Sequence, residues 1–323
     1  MKRKKSTLRY GAGIIAALML AALPGAGAQT YSTSGLVVQV SPERNELVVS
    51  MQEIPGYMDA MVMSLPVHQS RELQGLHPGV MVDFKLVVSQ KDSYAEDIRV
   101  RAFVCAENDP QGAARLAILQ KILAGNAPSM AALAIGQHVP DFSLPDQNRQ
   151  QVALSQFSGK VVAMTFVYAS CPLPNFCFRL SNNFGQLQKR FGNRMGQDLI
   201  LLTITLDPDH DQPEALAKYG SIWKANGACW HFLTGPVPAI KKVTSMFGVV
   251  FNPDMGVVTH SLHTVIIDRR GDLVDNLEGN EFTAKQLGDL VEAELNRAPG
   301  ASASERADVP AHDLTPSPTG IRK

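Results

Sequence analysis

Val161-Val162-Ala163-Met164-Thr165-Phe166-Val167-Tyr168-Ala169-Ser170-Cys171-Pro172-Leu173-Pro174-Asn175-Phe176-Cys177 reads as a buried strand that runs into a two-cysteine loop, with a helix to follow. An unbroken apolar run of this length, ended by proline and small residues, is the pattern of a strand covered on both faces. Cysteines at a strand-to-helix junction sit where unpaired helix N–H groups favour thiolate, the form that attacks disulfides and binds soft metals. A static disulfide is the competing reading, and an exported protein would tolerate one. The order strand, cysteines, helix favours reactive or metal-binding thiols. On a regular helix, sulfurs six residues apart would be displaced by about 9 Å along the axis and turned away from each other. Pro172 and Pro174 make the stretch a loop instead, which lets both sulfurs converge.

Outward from this segment, strands and helices alternate from Ile135 to Ala298. Strands are expected at Lys160–Tyr168, Asp198–Leu206, His263–Asp268 and Asp272–Leu277, and helices at Cys177–Phe191 and Pro238–Phe247. Asp211 is expected to cap a further helix whose first turn holds Pro213, and Thr283 to cap a last one through Leu295. This order gives a mixed sheet flanked by helices. Residues 106–134 form a linker with a helix over Gly112–Ala124, marked by Leu116, Leu119, Ile122 and Leu123. Before it, residues 29–105 hold five short apolar-rich runs, Gly35–Val40, Glu46–Met51, Met61–Val67, Val80–Val88 and Asp97–Val104, separated by Pro and Gly turns. Five strands in so short a span suit a small all-β barrel of the OB type. The tail, 299–323, is rich in Ala, Ser and Pro and reads as disordered.

The 323 residues carry 30 Lys+Arg against 30 Asp+Glu and are 45% hydrophobic, which excludes a disordered chain and the basic signature of nucleic-acid binding. The positive charge is concentrated at the start. Lys2, Arg3, Lys4, Lys5 and Arg9 precede an apolar run from Gly11 to Leu23 that closes on Ala26-Gly27-Ala28, the pattern of a secretory signal peptide cleaved after Ala28. An uncleaved membrane anchor is the alternative, disfavoured because the run stops at Pro24, short of the roughly 20 residues a spanning helix needs. Removing residues 1–28 leaves 25 positive against 30 negative charges, a net of about −5 on an exported, periplasmic chain.

The second half resembles the Sco/SenC family of thioredoxin-like copper proteins. The likeness rests on Pro140-Asp141-Phe142-Ser143-Leu144, on Thr165-Phe166-Val167-Tyr168 before Cys171, on Thr205-Leu206-Asp207-Pro208-Asp209, on Phe232-Leu233-Thr234-Gly235 and on Thr259-His260-Ser261. It implies an α/β thioredoxin-like domain over 135–298 in which Cys171, Cys177 and His260 bind one copper ion, Cu(I) or Cu(II). The family's usual spacing has three residues between the cysteines, and this chain has five. Two thiolates and an imidazole are soft-to-borderline donors that suit both copper oxidation states. His263 competes with His260, although strand alternation aims it differently; His210, in Asp209-His210-Asp211, reads as a solvated loop residue. Thioredoxin-like reductases place a cis-proline before the strand facing the cysteines, where this chain has Ser261-Leu262-His263-Thr264. Peroxiredoxins want a threonine three residues before the cysteine, and that position holds Tyr168.

Four of the twelve methionines, Met51, Met58, Met61 and Met63, fall within thirteen residues of the barrel. Thioether is a soft, neutral donor that selects Cu(I). Met61 and Met63 point the same way on a strand, and Met58 and Met51 would close the site. Core filling is the bland reading; Pro55, Tyr57 and Asp59 indicate an exposed rim instead. The segment is similar to the CusF-type periplasmic copper-binding domain, with Met61 and Met63 at that family's methionine positions, Met51 at its histidine and Met58 near its covering tryptophan. Of the remaining thiols, Cys105 and Cys229 either bridge the two domains or stay free.

The reading these features share is an exported copper chaperone. The resemblance implies delivery to a copper-accepting partner, a respiratory oxidase subunit, with Cys171 and Cys177 doubling as a redox pair. A metal-independent thiol-disulfide oxidoreductase and copper sequestration for resistance are the alternatives.

Overall fold

A computed structural model describes residues 28–103, 110–126, 132–252 and 258–297. Residues 1–27 of the expected leader, Cys105 and the expected tail lie outside the described residues. No helix among the described residues is long and apolar enough to cross a membrane.

The first five strands are β1 (Gln29–Ser41), β2 (Glu46–Met51), β3 (Val62–Pro66), β4 (Met81–Val88) and β5 (Ser93–Val100). They pair antiparallel in the order β3-β2-β1-β4-β5, and a parallel bridge from Val67 to Ala95 joins the two edges into a barrel. Val37, Leu47, Val49, Leu65, Val82, Leu86 and Ala95 fill its interior. Gly35 is required where β1 crosses β2: a Cβ there would lie 2.5 Å from the Val49 side chain and 2.8 Å from the Ser50 carbonyl. The fifth strand starts four residues earlier than its apolar run suggests, because the Lys91-Asp92 turn feeds directly into it and Ala95 faces the core.

A helix, α1 (Pro110–Asn126), follows. The second sheet has five strands, Trp230–Leu233, Leu199–Thr205, Val161–Val167, His263–Ile267 and Leu273–Glu278 in spatial order. In it β8 (Val161–Val167), β9 (Leu199–Thr205) and β10 (Trp230–Leu233) run parallel, while β13 (His263–Ile267) and β14 (Leu273–Glu278) form an antiparallel hairpin against β8. Every residue of β8 and β9 is buried, which explains their uninterrupted apolar runs. The parallel β8–β9 pair is crossed over by α2 (Arg179–Arg190), and α5 (Ala284–Leu295) packs beside α2 against β8. Along the chain, α3 (Pro213–Ile222), α4 (Val237–Met246) and a short ribbon β11 (Phe251–Asn252)/β12 (Thr259–His260) fall between α2 and α5, while the ribbon β6 (Ser143–Pro145)/β7 (Gln151–Ala153) precedes β8. Thr283 caps α5 as expected, accepting from the Gln286 N–H at 3.2 Å while its own N–H donates to Gln286 Oε1 at 2.9 Å. Asp211 does not cap α3; the N-cap is Gln212, and the Asp211 carboxylate is turned elsewhere.

The outer face of the barrel along β1 and β2 is also buried. Leu36 and Met81 join the core of the second sheet, and α5 lies along β1 and β2. Ser50 Oγ donates to Asp289 Oδ2 at 2.6 Å, and Gln286 Nε2 donates to the Ser50 carbonyl at 3.0 Å. Asp289 also accepts from Arg190 Nη2 at 2.7 Å and Lys285 Nζ at 2.8 Å. Asp289→Ala therefore removes the shared acceptor of Ser50, Arg190 and Lys285, of which Arg190 keeps Glu292 as a partner. Arg190 and Lys285 keep 31% and 44% of their side-chain surface in solvent, which screens their share. The expected loss is about 2–3 kcal/mol in urea unfolding; a change near zero would show that the seam is held by apolar contact alone.

Candidate metal centre

At the end of β8 the chain turns: Tyr168 is buried, and the Cys171 N–H donates to the Tyr168 carbonyl at 3.3 Å. Pro172 and Pro174 then keep the backbone out of a regular helix until a π-helical turn, Pro174–Phe178, broken at Phe176 (φ −110°, ψ −107°), leads into α2. The broken turn allows two cysteines six residues apart to face one another. It is braced from outside, because the Asn280 side chain donates to the Asn175 carbonyl and Arg179 Nη2 donates to the Glu281 carbonyl at 2.9 Å.

The thiols differ. Cys177 is buried, whereas Cys171 is half-buried. A hydrogen bond from Cys177 stabilises the Cys171 thiolate and lowers its pKa to about 6. Burial, and the same thiolate next door, push Cys177 well above the ordinary thiol range. The pair thus gives up one proton easily and holds the second. Tyr168 stands beside Cys171, and burial together with the thiolate keeps its phenol protonated.

β12 brings in the ring. His260 Nδ1 donates to the Ser261 carbonyl at 2.9 Å, which leaves the Nε2 lone pair directed to Cys177 Sγ, 3.8 Å away. The Tyr168 ring meets the His260 ring edge-on at 5.8 Å. Burial lowers the imidazole pKa to about 4, so the ring is neutral and a competent ligand at any pH above that. Thiolate and imidazole bonds to a d10 ion of about 2.3 and 2.0 Å place the two donors about 3.5–3.8 Å apart. The 3.8 Å separation fits that requirement. Among the described residues no group of three His, Cys, Asp or Glu side chains is already closed into a metal cage. The donors form a chain, Cys171 to Cys177 to His260, with Cys177 in the middle.

The competing histidines are engaged elsewhere. His263 Nδ1 bonds Asn276 Oδ1 at 2.9 Å and is buried; His210 is exposed and bonds Asp207 at 2.9 Å. Cys229 is a free, buried thiol, and its suggested partner Cys105 lies outside the described residues.

In the barrel, Val49 opposes Met63, and the Met51 N–H donates to the Met61 carbonyl at 2.9 Å. This register puts Met51, Met61 and Met63 on the interior face shared with Leu47 and Val49. The exposed rim expected from the turn residues holds only in part. Pro55 and Asp59 are exposed, but Met51 and Met58 are buried in the barrel core, with Met61 and Met63 half-buried at its edge. A bridge between Ile54 and Met58 folds the loop back over this end, and Tyr57 stacks on Tyr31 at 4.2 Å.

Sequence reasoning used Tyr168 only to exclude another family and missed it as the neighbour of Cys171. Its place, three residues before the cysteine at the strand's end, was the available signal.

The fold and this junction define a thioredoxin-like domain carrying a dithiol and an imidazole, joined to a methionine-bearing barrel. Residues 132–295 match the family described as SCO1/SenC, and the chain belongs to that family. Residues 30–99 match the family described as copper binding periplasmic protein CusF. An SCO2-like protein of Rickettsia typhi is 28% identical over 162 residues, covering 47% of this chain and 75% of the relative. An SCO1 protein homolog of Bacillus subtilis is 25% identical over 101 residues, covering 31% of this chain and 51% of the relative. Yeast Sco1 with copper bound is similar at 25% identity and a TM-score of 0.44, covering 55% of this chain and 96% of that one.

Proposed function

We propose that the protein is an exported, periplasmic copper chaperone. Its barrel takes up Cu(I) on Met51, Met58, Met61 and Met63, and Cys171, Cys177 and His260 hold copper for delivery to a copper-accepting partner, a respiratory oxidase subunit. The observation that carries this reading is the Cys177 Sγ–His260 Nε2 approach of 3.8 Å with the opposite ring nitrogen already occupied. Two families that meet in one chain, one of them named for copper binding, support copper as the cargo. Soft thioether and thiolate donors support Cu(I) as its form. Cargo would pass to the partner by ligand exchange, thiolate for thiolate.

Anaerobic Cu(I) titration of the reduced full chain tests this: two sites are expected, one lost in Cys171→Ser with Cys177→Ser. In that thiol-free background, Met61→Ala with Met63→Ala abolishes the remaining site. Undiminished binding there returns the methionines to a packing role. X-ray absorption on the loaded protein counts the sulfur and nitrogen neighbours.

A second reading has its own observation. One half-buried low-pKa thiol beside one fully buried high-pKa thiol is the arrangement of a dithiol reductant. The Cys171 thiolate would attack a partner disulfide, and Cys177 would resolve the mixed disulfide, releasing the reduced partner and leaving Cys171–Cys177 oxidised. Insulin reduction without copper uptake at the thiols favours this oxidoreductase. Copper uptake with no protein captured from copper-fed periplasm favours sequestration over delivery.

A further inference from the structure

Asp211 is only 2% exposed, although it lies directly before the N-cap of α3, where a carboxylate would ordinarily serve the helix. Its Oδ2 instead accepts from the Ala169 N–H at 2.9 Å and from Thr205 Oγ1 at 2.6 Å. The Thr205 hydroxyl is fixed in turn, accepting from the Asp207 N–H at 3.0 Å. Asp211's own N–H donates to the Asp207 carbonyl at 2.8 Å, so the whole loop after β9 is wound to present one oxygen. Ala169 follows Tyr168, whose carbonyl accepts the Cys171 N–H. The turn that carries the outer thiol is thus held at one end by β8 and at its middle by this carboxylate. Burying a carboxylate is costly, and burial pushes its pKa up. A helix cap would have used it at the surface.

We propose that Asp211 is a positioning residue for the dithiol: by gripping the Ala169 N–H it sets the turn that holds Cys171 against Cys177. The proposal rests on the reading of Cys171 and Cys177 as a working pair, and it applies equally to copper holding and to disulfide exchange. An acceptor oxygen, not a charge, is what the geometry uses, so an amide oxygen at the same place suffices.

The test measures the Cys171–Cys177 dithiol–disulfide equilibrium against a glutathione buffer, in the full chain and without metal. Asp211→Ala is expected to shift this equilibrium constant about tenfold or more and, separately, to weaken Cu(I) binding at the thiols by about 10–100-fold. Asp211→Asn is expected to restore both to within about twofold. Urea unfolding run alongside separates positioning from stability, since a purely structural role lowers stability and leaves the equilibrium constant of the folded protein where it was. An unchanged equilibrium in folded Asp211→Ala, or an Asn variant as impaired as the Ala one, overturns the proposal. Should Asp211→Ala fail to fold, Thr205→Val keeps the carboxylate but removes its hydroxyl partner. A displaced equilibrium constant in folded Thr205→Val supports the proposal, and an unchanged one overturns it. Because the glutathione measurement contains no copper, failure of the copper reading leaves it intact.

Discussion

Cys177→Ser lowers Cu(I) affinity at the thiol site by roughly 10³-fold, more than either neighbour's replacement does. Structural d10 metal sites are held by about 10–16 kcal/mol in total, so the loss of one strong donor of three removes roughly 4 kcal/mol. Cys177 ranks first because it is the middle member: it touches Cys171 on one side and His260 Nε2 on the other. His260→Ala removes a neutral donor from the end of that chain, and the expected loss is roughly 10–100-fold. It leaves Cys171–Cys177 oxidation intact, since the disulfide forms between the two sulfurs and needs no imidazole ligand. Competition against a chromophoric Cu(I) chelator under anaerobic conditions measures all three variants. If His260→Ala binds copper with parental stoichiometry and affinity, the ring is not a ligand, and the approach of Nε2 to Cys177 is packing.

The strand before Cys171, the helix after it and the capping Thr283 were legible because each rests on local pattern: an apolar run, a proline pair, a capping box. The meeting of Cys177 with His260 was not, since 83 residues separate them and only the β8–β13 pairing brings them to one end of the sheet. Asp211 was misread for a related reason. Asp before Pro is a good local signal for a helix start, but a tertiary hydrogen bond to Ala169 outbid it. The methionines were misplaced by their surroundings. Pro55 and Asp59 mark a turn correctly, yet a turn can fold over a core, and the β2–β3 register points Met51 inward. Domain docking left a trace that went unused. Leu36-Val37-Val38 and Leu47-Val48-Val49 are apolar on both faces, which a freely exposed barrel does not need and a barrel covered by α5 does.

Copper uptake at the thiols is expected to release one proton per ion near pH 7.5 and two near pH 5. The bound state needs two thiolates and a neutral ring. The free dithiol loses its first proton at about pH 6 and its second well above 9, while the ring is deprotonated above about 4. Between pH 6 and 9, then, only the Cys177 proton is displaced, and affinity rises about tenfold per pH unit; between 4 and 6 both thiols must ionise, and it rises about a hundredfold per unit. Acidification from pH 8 to 5 costs the thiol site about 10⁴ in affinity. Thioethers do not titrate, so the proposed barrel site would keep its affinity over the same range. On the proposed reading, acidification shifts the balance from the thiols towards the methionines, with no change in fold required. Chelator competition at each pH, with the barrel site removed by Met61→Ala and Met63→Ala, gives the slope directly. A slope of two between pH 6.5 and 8 would mean that Cys171 is still a thiol there, and the division of labour between the outer and the buried sulfur would fail with it.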